Sequence, residues 1–407
     1  MANKVEHSGW ISKVARIAKR APVLVLSFAL AVTHSAPAQT YKTVHRFTGG
    51  RDGGQPSAPV ILDDAGNLYG TTTLGGDLKC NRPYGCGTIF KIDAAGKETV
   101  LHSFTLMPDG AYPQAGLIRD AAGNFYGTTQ EGGAYNSGTV FKLDATGKEI
   151  VLYSFSGGRD GAWPFGGLVR DSAGNLYGTT YAGGGILSCY YISGVSTCGV
   201  IFKLAKTGRL TVLHRFDGSD GEWPLVGLVR DSAGNLYGTA SAGNNNFGIV
   251  FKVDNTGGFS VLHTFEDQYS DGFEPSSTLI LDEAGNLYGT TRLGGTVFKI
   301  DVTGQETILY PFSGRHDGIW PSGNLVRDAG GNIYGTTEHG GHCQRRFGCG
   351  TIYRLDTNGQ ETVLHKFGRG PGRVPKGGLV MDSAGILYGT TWEPYGPSFG
   401  SVFKFIP

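Results

Sequence analysis

A chain of 407 residues with 35 lysines and arginines against 34 aspartates and glutamates carries a formal net charge of +1 at pH 7. That balance, with no run of like charge, argues against a nucleic-acid partner, which needs a basic patch. Glycine is abundant at 68 residues and falls at fixed offsets, so it reads as turn chemistry, not disorder.

Residues 1–38 are set apart from the rest. Lys4, Lys13, Arg16, Lys19 and Arg20 precede an apolar run from Ala21 to Val32, and Ala36-Pro37-Ala38 follows. This is the three-part pattern of a secretory signal peptide with cleavage near Ala38; an uncleaved amphipathic anchor is the alternative. The run is too short to cross a bilayer core of about 30 Å as a helix. No later run approaches that length, so no membrane span is expected. Removing the segment leaves 30 basic and 33 acidic residues. The mature domain, residues 39–407, is expected as a monomer in the periplasm or outside the cell.

Tyr41-Lys-Thr-Val-His-Arg-Phe47 is a β-branched and aromatic run that stands alone. After it, a block of the form Asp-x-Ala-Gly-Asn-Leu-Tyr-Gly-Thr-Thr occurs seven times. Its tyrosines are Tyr69, Tyr126, Tyr177, Tyr237, Tyr288, Tyr334 and Tyr388, spaced 46 to 60 residues apart. The second copy shows the unit. Gly116–Asp120 is a short strand, Ala121–Asn124 a tight turn, and Asn124–Thr129 a second strand. A Gly-Gly loop leads to a third strand, Gly138–Asp144, and the turn Ala145–Lys148 to a fourth, Glu149–Phe155. Strand-like runs bounded by Gly, Asn and Asp at this period predict an all-β, seven-bladed propeller of four-stranded antiparallel blades. The last third-type strand, Gly400–Phe405, has no fourth strand after it. Tyr41–Phe47 is of the fourth type and is expected to complete the last blade, removing an open edge.

The Asp-x-Ala-Gly-Asn-Leu-Tyr-Gly-Thr-Thr…Gly-Gly…Gly-Thr-Val-Phe-Lys-Leu-Asp unit resembles the tandem repeat named after Gloeobacter and Verrucomicrobium. The resemblance covers nearly all of residues 41–407. It implies an exported bacterial repeat protein, often surface-anchored, with no assigned activity. This chain departs from anchored members in having no hydrophobic tail after Pro407. Pro164-x-x-Gly-Leu-Val-x-Asp-x-x-Gly-Asn-Leu-Tyr177 is also similar to lactonase-type and NHL-type propeller repeats, over two strands per blade; no catalytic residue carries across.

In a four-stranded meander the turns after strands one and three share one face, and here they are short and uniform. The loop between strands two and three and the connection between blades share the other face and vary, as functional loops on a rigid scaffold do. Six cysteines fall on the variable face as three close pairs, Cys80/Cys86, Cys189/Cys198 and Cys343/Cys349. An even count in an exported chain suggests disulfides, and bridging within each loop is the simplest arrangement; a zinc site would need ligands from distant loops.

Two sets of residues decorate that face. The connections read Asp109-Gly-Ala-Tyr112-Pro113, Asp160-Gly-Ala-Trp163-Pro164, Asp220-Gly-Glu-Trp223-Pro224 and Asp317-Gly-Ile-Trp320-Pro321. Gln55 replaces the aromatic residue in the first, and Gly372-Arg-Val-Pro375 lacks both Asp and aromatic. Such aromatic residues suit the stacking of sugar rings, or else wedge one blade against the next. The position after Thr-Thr (Thr-Ala in the fourth copy) differs in every blade: Thr73, Gln130, Tyr181, Ser241, Arg292, Glu338 and Trp392. It is expected at the rim of the central funnel, as a specificity ring or as a merely unconstrained position.

The recurring His45, His102, His214, His263 and His365, which alternate with Tyr153 and Tyr310, read as structural. Lys91, Lys142, Lys203, Lys252, Lys299, Arg354 and Lys404 read as an ion-pair ladder or an exposed edge. Glu338-His339-Gly-Gly-His342 lacks a third ligand and a helical spacing, so no metal is expected. No cofactor motif, phosphate loop or Ser/His/Asp grouping is present. The expectation is a secreted binding protein for an extracellular glycan or protein, with Tyr112, Trp163, Trp223, Trp320, Trp392, Gln130, Tyr181, Arg292 and Glu338 as candidate contacts. Two alternatives remain: a hydrolase or lyase acting on polysaccharide or lactone, with carboxylates from Asp160, Asp220, Asp317 or Glu338, and a structural surface or adhesion module.

Overall fold

The computed structural model describes residues 39–407, apart from 187–188, 190, 193–194, 244–246, 267–270, 315, 342, 344–347, 369–371 and 394–398. The segment expected to be a signal peptide, residues 1–38, and His342 therefore lie outside the described residues. Seven antiparallel blade sheets follow one another along the chain, and the third carries a two-stranded hairpin, Tyr191–Ile192 with Val195–Ser196, in its loop. Blade 1 is Ile61–Leu62, Leu68–Thr72, Thr88–Ile92 and Glu98–Ser103. Blade 7 is Leu379–Met381, Leu387–Thr391 and Ser401–Ile406, and its fourth strand is Thr40–Arg46, which runs antiparallel to Ser401–Ile406 with Thr40 opposite Ile406. The seven-bladed propeller and its closure by the first strand are thus both present. Among the described residues no helix is long and apolar enough to cross a membrane.

The repeated block is explained residue by residue. Its Asp caps the first turn: the Asp120 carboxylate accepts the Asn124 backbone N–H at 2.9 Å and the Tyr126 hydroxyl at 2.9 Å, an Asx turn tied down by the tyrosine two residues beyond the turn. The glycine after Tyr makes room for a ring. A Cβ on Gly127 would lie 2.6 Å from the Phe141 ring, and the same approach recurs at Gly70, Gly178, Gly238, Gly289, Gly335 and Gly389. The two threonines have separate duties. In blades 1, 2, 3 and 7 the first reaches the next blade: Thr71 Oγ1 donates to the Ala115 carbonyl at 3.0 Å, and Thr390 Oγ1 donates to the Ala58 carbonyl at 2.9 Å across the closure seam. The second pairs inside its own blade, as Thr129 does with Thr139 and Thr391 with Ser401, both at 2.8 Å.

The ring housed over each glycine also meets the blade before it. Phe104 ends blade 1 and packs on Phe141 of blade 2, with centroids 5.3 Å apart. Phe47–Phe90, Phe155–Phe202, Phe216–Phe251, Phe265–Phe298, Phe312–Tyr353 and Phe367–Phe403 repeat that contact at 5.0 to 5.5 Å. Each seam is thus an edge-on aromatic pair, fully buried on at least one side.

The repeated lysines form no ion-pair ladder among the described residues. Lys91, Lys203 and Lys252 lie 5.6 to 5.8 Å from the rings of Tyr69, Tyr177 and Tyr237, their partners across the strand pair. They are cation–π partners of the block tyrosines.

The seams also hold acids. Burial, with Asp52 as neighbour, raises the Glu98 carboxyl to about 7; burial raises Glu149 likewise, with Asp109 adding to it; and burial with Asp317 does so for Glu361. One carboxylate oxygen of each is buried without a hydrogen-bond partner. Burial also lowers His45, His263 and His365.

Two predictions follow from this packing. Gly127→Ala forces a methyl group into the Phe141 ring and is expected to cost about 1–3 kcal/mol; a thermal melt should show the loss, and Phe141→Leu in that background should recover part of it. From the unfolded value of 4.5 up to the folded value of about 7 the folded chain holds these glutamate protons after the unfolded chain has released them, so stability falls as pH rises, and the last of the fall comes between about pH 6.5 and 8 as the folded groups release theirs. The lowered histidines act in the opposite sense, but only below the unfolded histidine value of about 6.5. Urea unfolding across that window should show the decline, and Glu98→Gln should reduce its slope. A rise in stability from pH 6.5 to 8 would rule out the assignment.

Candidate functional site

At the end of the ring that carries the variable loops, each connection between blades enters its new blade through a residue followed by proline. These seven residues are Gln55, Tyr112, Trp163, Trp223, Glu274, Trp320 and Val374, and all are left-handed, with φ between 55° and 58°. The residue before each of six of them pairs with the second residue after Thr-Thr, as Ala162 does with Ala182. Their N–H groups donate to the second-to-third-strand loop of the preceding blade, as Trp163 does to the Ser137 carbonyl at 2.9 Å. Their carbonyls accept the N–H of the residue after Thr-Thr in their own blade: Gln130 donates to Tyr112, Tyr181 to Trp163, Ser241 to Trp223 and Trp392 to Val374. The two sets singled out in the sequence are therefore one set of seven neighbouring pairs.

The proline and the residue before it divide the work. A Cβ on Gly138 would meet Pro164 Cδ at 2.6 Å, and Gly87, Gly248, Gly350 and Gly400 face Pro113, Pro275, Pro375 and Pro56 at 2.5 to 2.7 Å. The proline is the wedge between blades. The side chain before it is not, because it varies from Gln to Trp to Glu to Val without changing the backbone. A non-glycine residue in this conformation costs about 1–2 kcal/mol, and backbone strain of this kind concentrates at working sites.

All three expected disulfides are formed, Cys80–Cys86, Cys189–Cys198 and Cys343–Cys349. Their place is specific. The carbonyl of the second cysteine accepts the N–H of the strained residue in the next blade: Cys86 from Tyr112 at 2.9 Å, Cys198 from Trp223 at 3.4 Å and Cys349 from Val374 at 3.0 Å. The bridges brace the loops that hold the ring.

Two adjoining cavities open here. One, about 520 Å³, is the central funnel, walled by the first strands and reached by Phe165, Leu225, Glu274, Arg292, Ser322, Glu338 and Lys376. The other, about 600 Å³, lies at its rim over Gln130, Glu131, Trp163, Tyr181, Trp223 and Glu274. Tyr181 faces Trp223 with centroids 6.1 Å apart and planes 22° from parallel, and Trp163 lies 6.4 Å from Tyr181 at 31°. Phe165 meets Tyr181 edge-on at 5.4 Å. Blades 3 and 4 thus present a continuous aromatic wall. Trp223 Nε1 is buried without a hydrogen-bond partner.

Blades 5 to 7 present charge instead. The Arg292 guanidinium lies 3.5 Å from Glu274 and 3.8 Å from Glu338, and 4.8 Å from the Trp320 ring. Glu338 is 6 % exposed. Lys376 stands 5.0 Å from the Trp392 ring. Burial raises the carboxyl groups of Glu131 and Glu222 above the ordinary range.

Trp163, Trp223, Gln130, Tyr181, Arg292 and Glu338 come together in the two cavities, with Trp320 and Trp392 stacked on their cations. Tyr112 stands beside this group, with its hydroxyl accepting from Asn81 at 2.6 Å. Glu274 escaped the sequence reading. Its connection, Asp271-Gly-Phe-Glu274-Pro275, lacks an aromatic residue before proline, and only the Asp-Gly-x-x-Pro frame marks it.

Asp160, Asp220 and Asp317 line neither cavity. Tyr153 donates to Asp160 at 2.9 Å and Tyr310 to Asp317 at 3.1 Å, and His214 pairs with Asp220 at 2.8 Å. Each anchors its connection to the outermost strand of the preceding blade, which also explains the recurring histidines. Among the described residues, His263, Asp271 and Glu306 bring ligand-type atoms within 4.8 Å of one another. The same trio recurs as His45, Asp52 and Glu98 and as His102, Asp109 and Glu149, so it belongs to the outer seams and not to the funnel.

The model for the Gloeobacter/Verrucomicrobia repeat matches residues 31–193, 188–295 and 268–407. No curated protein matches the sequence. Among solved structures, a streptogramin B lyase is similar over 90 % of this chain and 97 % of its own, at 14 % identity and a TM-score of 0.58. The extracellular domain ascribed to a hybrid two-component system of B. thetaiotaomicron is similar over 90 % of this chain and 41 % of its own, at 14 % identity and a TM-score of 0.57. An S511A mutant of puromycin hydrolase is similar over 88 % and 52 %, at 14 % identity and 0.53. At such identities the likeness is one of fold.

If the side chain before proline is free of structural duty, Trp163→Gly should leave stability within about 1 kcal/mol of wild type, because glycine relieves the left-handed strain. Loss of a wedging tryptophan would instead cost about 3–5 kcal/mol. Chemical denaturation distinguishes the two.

Proposed function

The chain belongs to the Gloeobacter/Verrucomicrobia repeat family, and on that scaffold we propose an exported propeller that binds a carbohydrate at its funnel. The observation that carries this reading is the near-parallel aromatic wall of Trp163, Tyr181 and Trp223. The apolar faces of a sugar ring pack on aromatic faces, while hydroxyls need hydrogen-bonding groups around the edge. Gln130, Glu131, Glu274 and the buried indole N–H of Trp223 supply those groups. Export accords with the N-terminal pattern and with three disulfides, which persist in oxidising compartments; a mature N-terminus beginning just after Ala38 would support it.

A second reading, turnover of the bound ligand by a lyase or hydrolase, is favoured by Glu274 and Glu338 flanking one guanidinium in the funnel. Two carboxylates can act as base and acid, and an arginine between them can stabilise a developing oxyanion. A streptogramin B lyase is built on a similar ring of blades.

Calorimetric titration with a panel of oligosaccharides tests the first reading, and mass analysis of the same mixtures tests the second. Trp223→Gly is expected to weaken binding at least about tenfold, in line with loss of an aromatic anchor, with the fold intact. Binding indifferent to Trp163→Gly and Trp223→Gly would overturn the aromatic site. Product formation abolished by Glu338→Gln would establish turnover.

A further inference from the structure

The residues two places beyond the strained positions form a third ring on the funnel wall: Ser57, Gln114, Phe165, Leu225, Ser276, Ser322 and Lys376. Its polar members differ in what they have left to offer. Ser57 Oγ lies 3.2 Å from Thr73 Oγ1 and 3.4 Å from the Gln114 carbonyl, and Ser276 donates to the Pro321 carbonyl at 3.2 Å. Gln114 donates to Gln130. The Ser322 hydroxyl, 5 % exposed on the residue as a whole, is buried with no hydrogen-bond partner.

The cations differ in the same way. Arg292 is matched by Glu274 and Glu338. Among the described residues Lys376 has no carboxylate within ion-pair distance; it rests against Trp392, which fixes the ammonium group without neutralising it. Lys376 and Ser322 also stand side by side. Asn324 and Gly378 form a parallel bridge between their two strands, and a Cβ on Gly323 would touch the Lys376 carbonyl oxygen at 2.6 Å. An uncompensated ammonium group and an unused hydroxyl therefore line the funnel, which shares Phe165 and Leu225 with the adjoining cavity of the aromatic wall.

We propose that Lys376 and Ser322 form an anion subsite, and that the ligand is an acidic carbohydrate. Its carboxylate or sulfate group accepts from the ammonium and the hydroxyl, and its sugar ring faces Phe165, Tyr181 and Trp223. This inference rests on the carbohydrate reading and narrows it. Charge-assisted hydrogen bonds to an ammonium group inside a partly dry cavity are stronger than those between neutral groups, so the anion contributes to affinity and also fixes the orientation of the ring.

The test compares three oligosaccharides of equal length by calorimetry at low and high salt: an oligogalacturonate, its neutral galactose counterpart and a sulfated galactose oligomer. An anionic oligomer is expected to bind about tenfold or more tighter than the neutral one, as a hydrogen bond to a charged group implies, and to lose part of that advantage at high salt. Which of the two anionic sugars binds tighter identifies the group. Lys376→Gln should bring the anionic-to-neutral affinity ratio down to about one, and Ser322→Ala, a smaller change that leaves the cation in place, should reduce it partway. Equal affinity for all three sugars, with binding still lost in Trp223→Gly, overturns the anion subsite and leaves the carbohydrate reading standing. A ratio that survives Lys376→Gln overturns the subsite as well. Failure of every sugar to bind removes both.

Discussion

Everything in this molecule depends on an aromatic ring that sits over a glycine. The third strand of each blade carries Phe, or Tyr in blade 6, directly above the glycine of the Tyr-Gly-Thr-Thr block, and the same ring takes the edge of the phenylalanine that ends the preceding fourth strand. One residue thus sets both the thickness of a blade and its distance from the next. Seven identical seams leave seven first strands at a fixed radius, and the funnel is the space they enclose. In four of the seven blades the first threonine of the block adds a hydrogen bond across the seam.

On this frame the protein separates holding from displaying. The proline in each connection and the glycine it presses on hold. The residue before proline and its neighbour after Thr-Thr display, on a backbone locked by hydrogen bonds in two directions. The left-handed geometry is the same for Trp163 and Glu274, so side-chain chemistry can change without moving the platform. The result is an asymmetric face on a symmetric ring: aromatic over blades 3 and 4 and charged over blades 5 to 7. The disulfides reinforce three of the seven positions, at Tyr112, Trp223 and Val374, because their loops are long and would otherwise hold those positions loosely.

The fold was legible in the sequence because each blade solves the same packing problem with the same residues, so Tyr69 through Tyr388 count the blades and Tyr41–Phe47 closes them. The variable positions were legible as departures from that regularity. Their pairing was not, because the hydrogen bond from Gln130 to Tyr112 joins residues from separate strands whose register appears only in three dimensions. The aspartates misled for a related reason. Asp160 and Asp317 lie beside the display residues in sequence, yet the hydroxyls that claim them come from Tyr153 and Tyr310 on the outermost strand. Glu274 was not legible because its connection keeps the proline but has no aromatic residue before it. The basic residues of the third strand looked like an ion-pair ladder or an exposed edge, and Lys91, Lys203 and Lys252 rest on tyrosine rings across the strand pair.

The pairing of Thr40 with Ile406 has a consequence for assembly. It joins residues from opposite ends of the repeat array, so it carries the greatest loop-closure entropy in the fold and raises the contact order above that of any single blade. During synthesis the first strand to emerge finds its partner only when the last has been made. Until then blade 7 lacks its outer strand and blade 1 lacks the Phe47 ring that packs on Phe90. The half-built ring therefore carries two unfinished edges, and the chain is most exposed to mispairing in the interval before they meet.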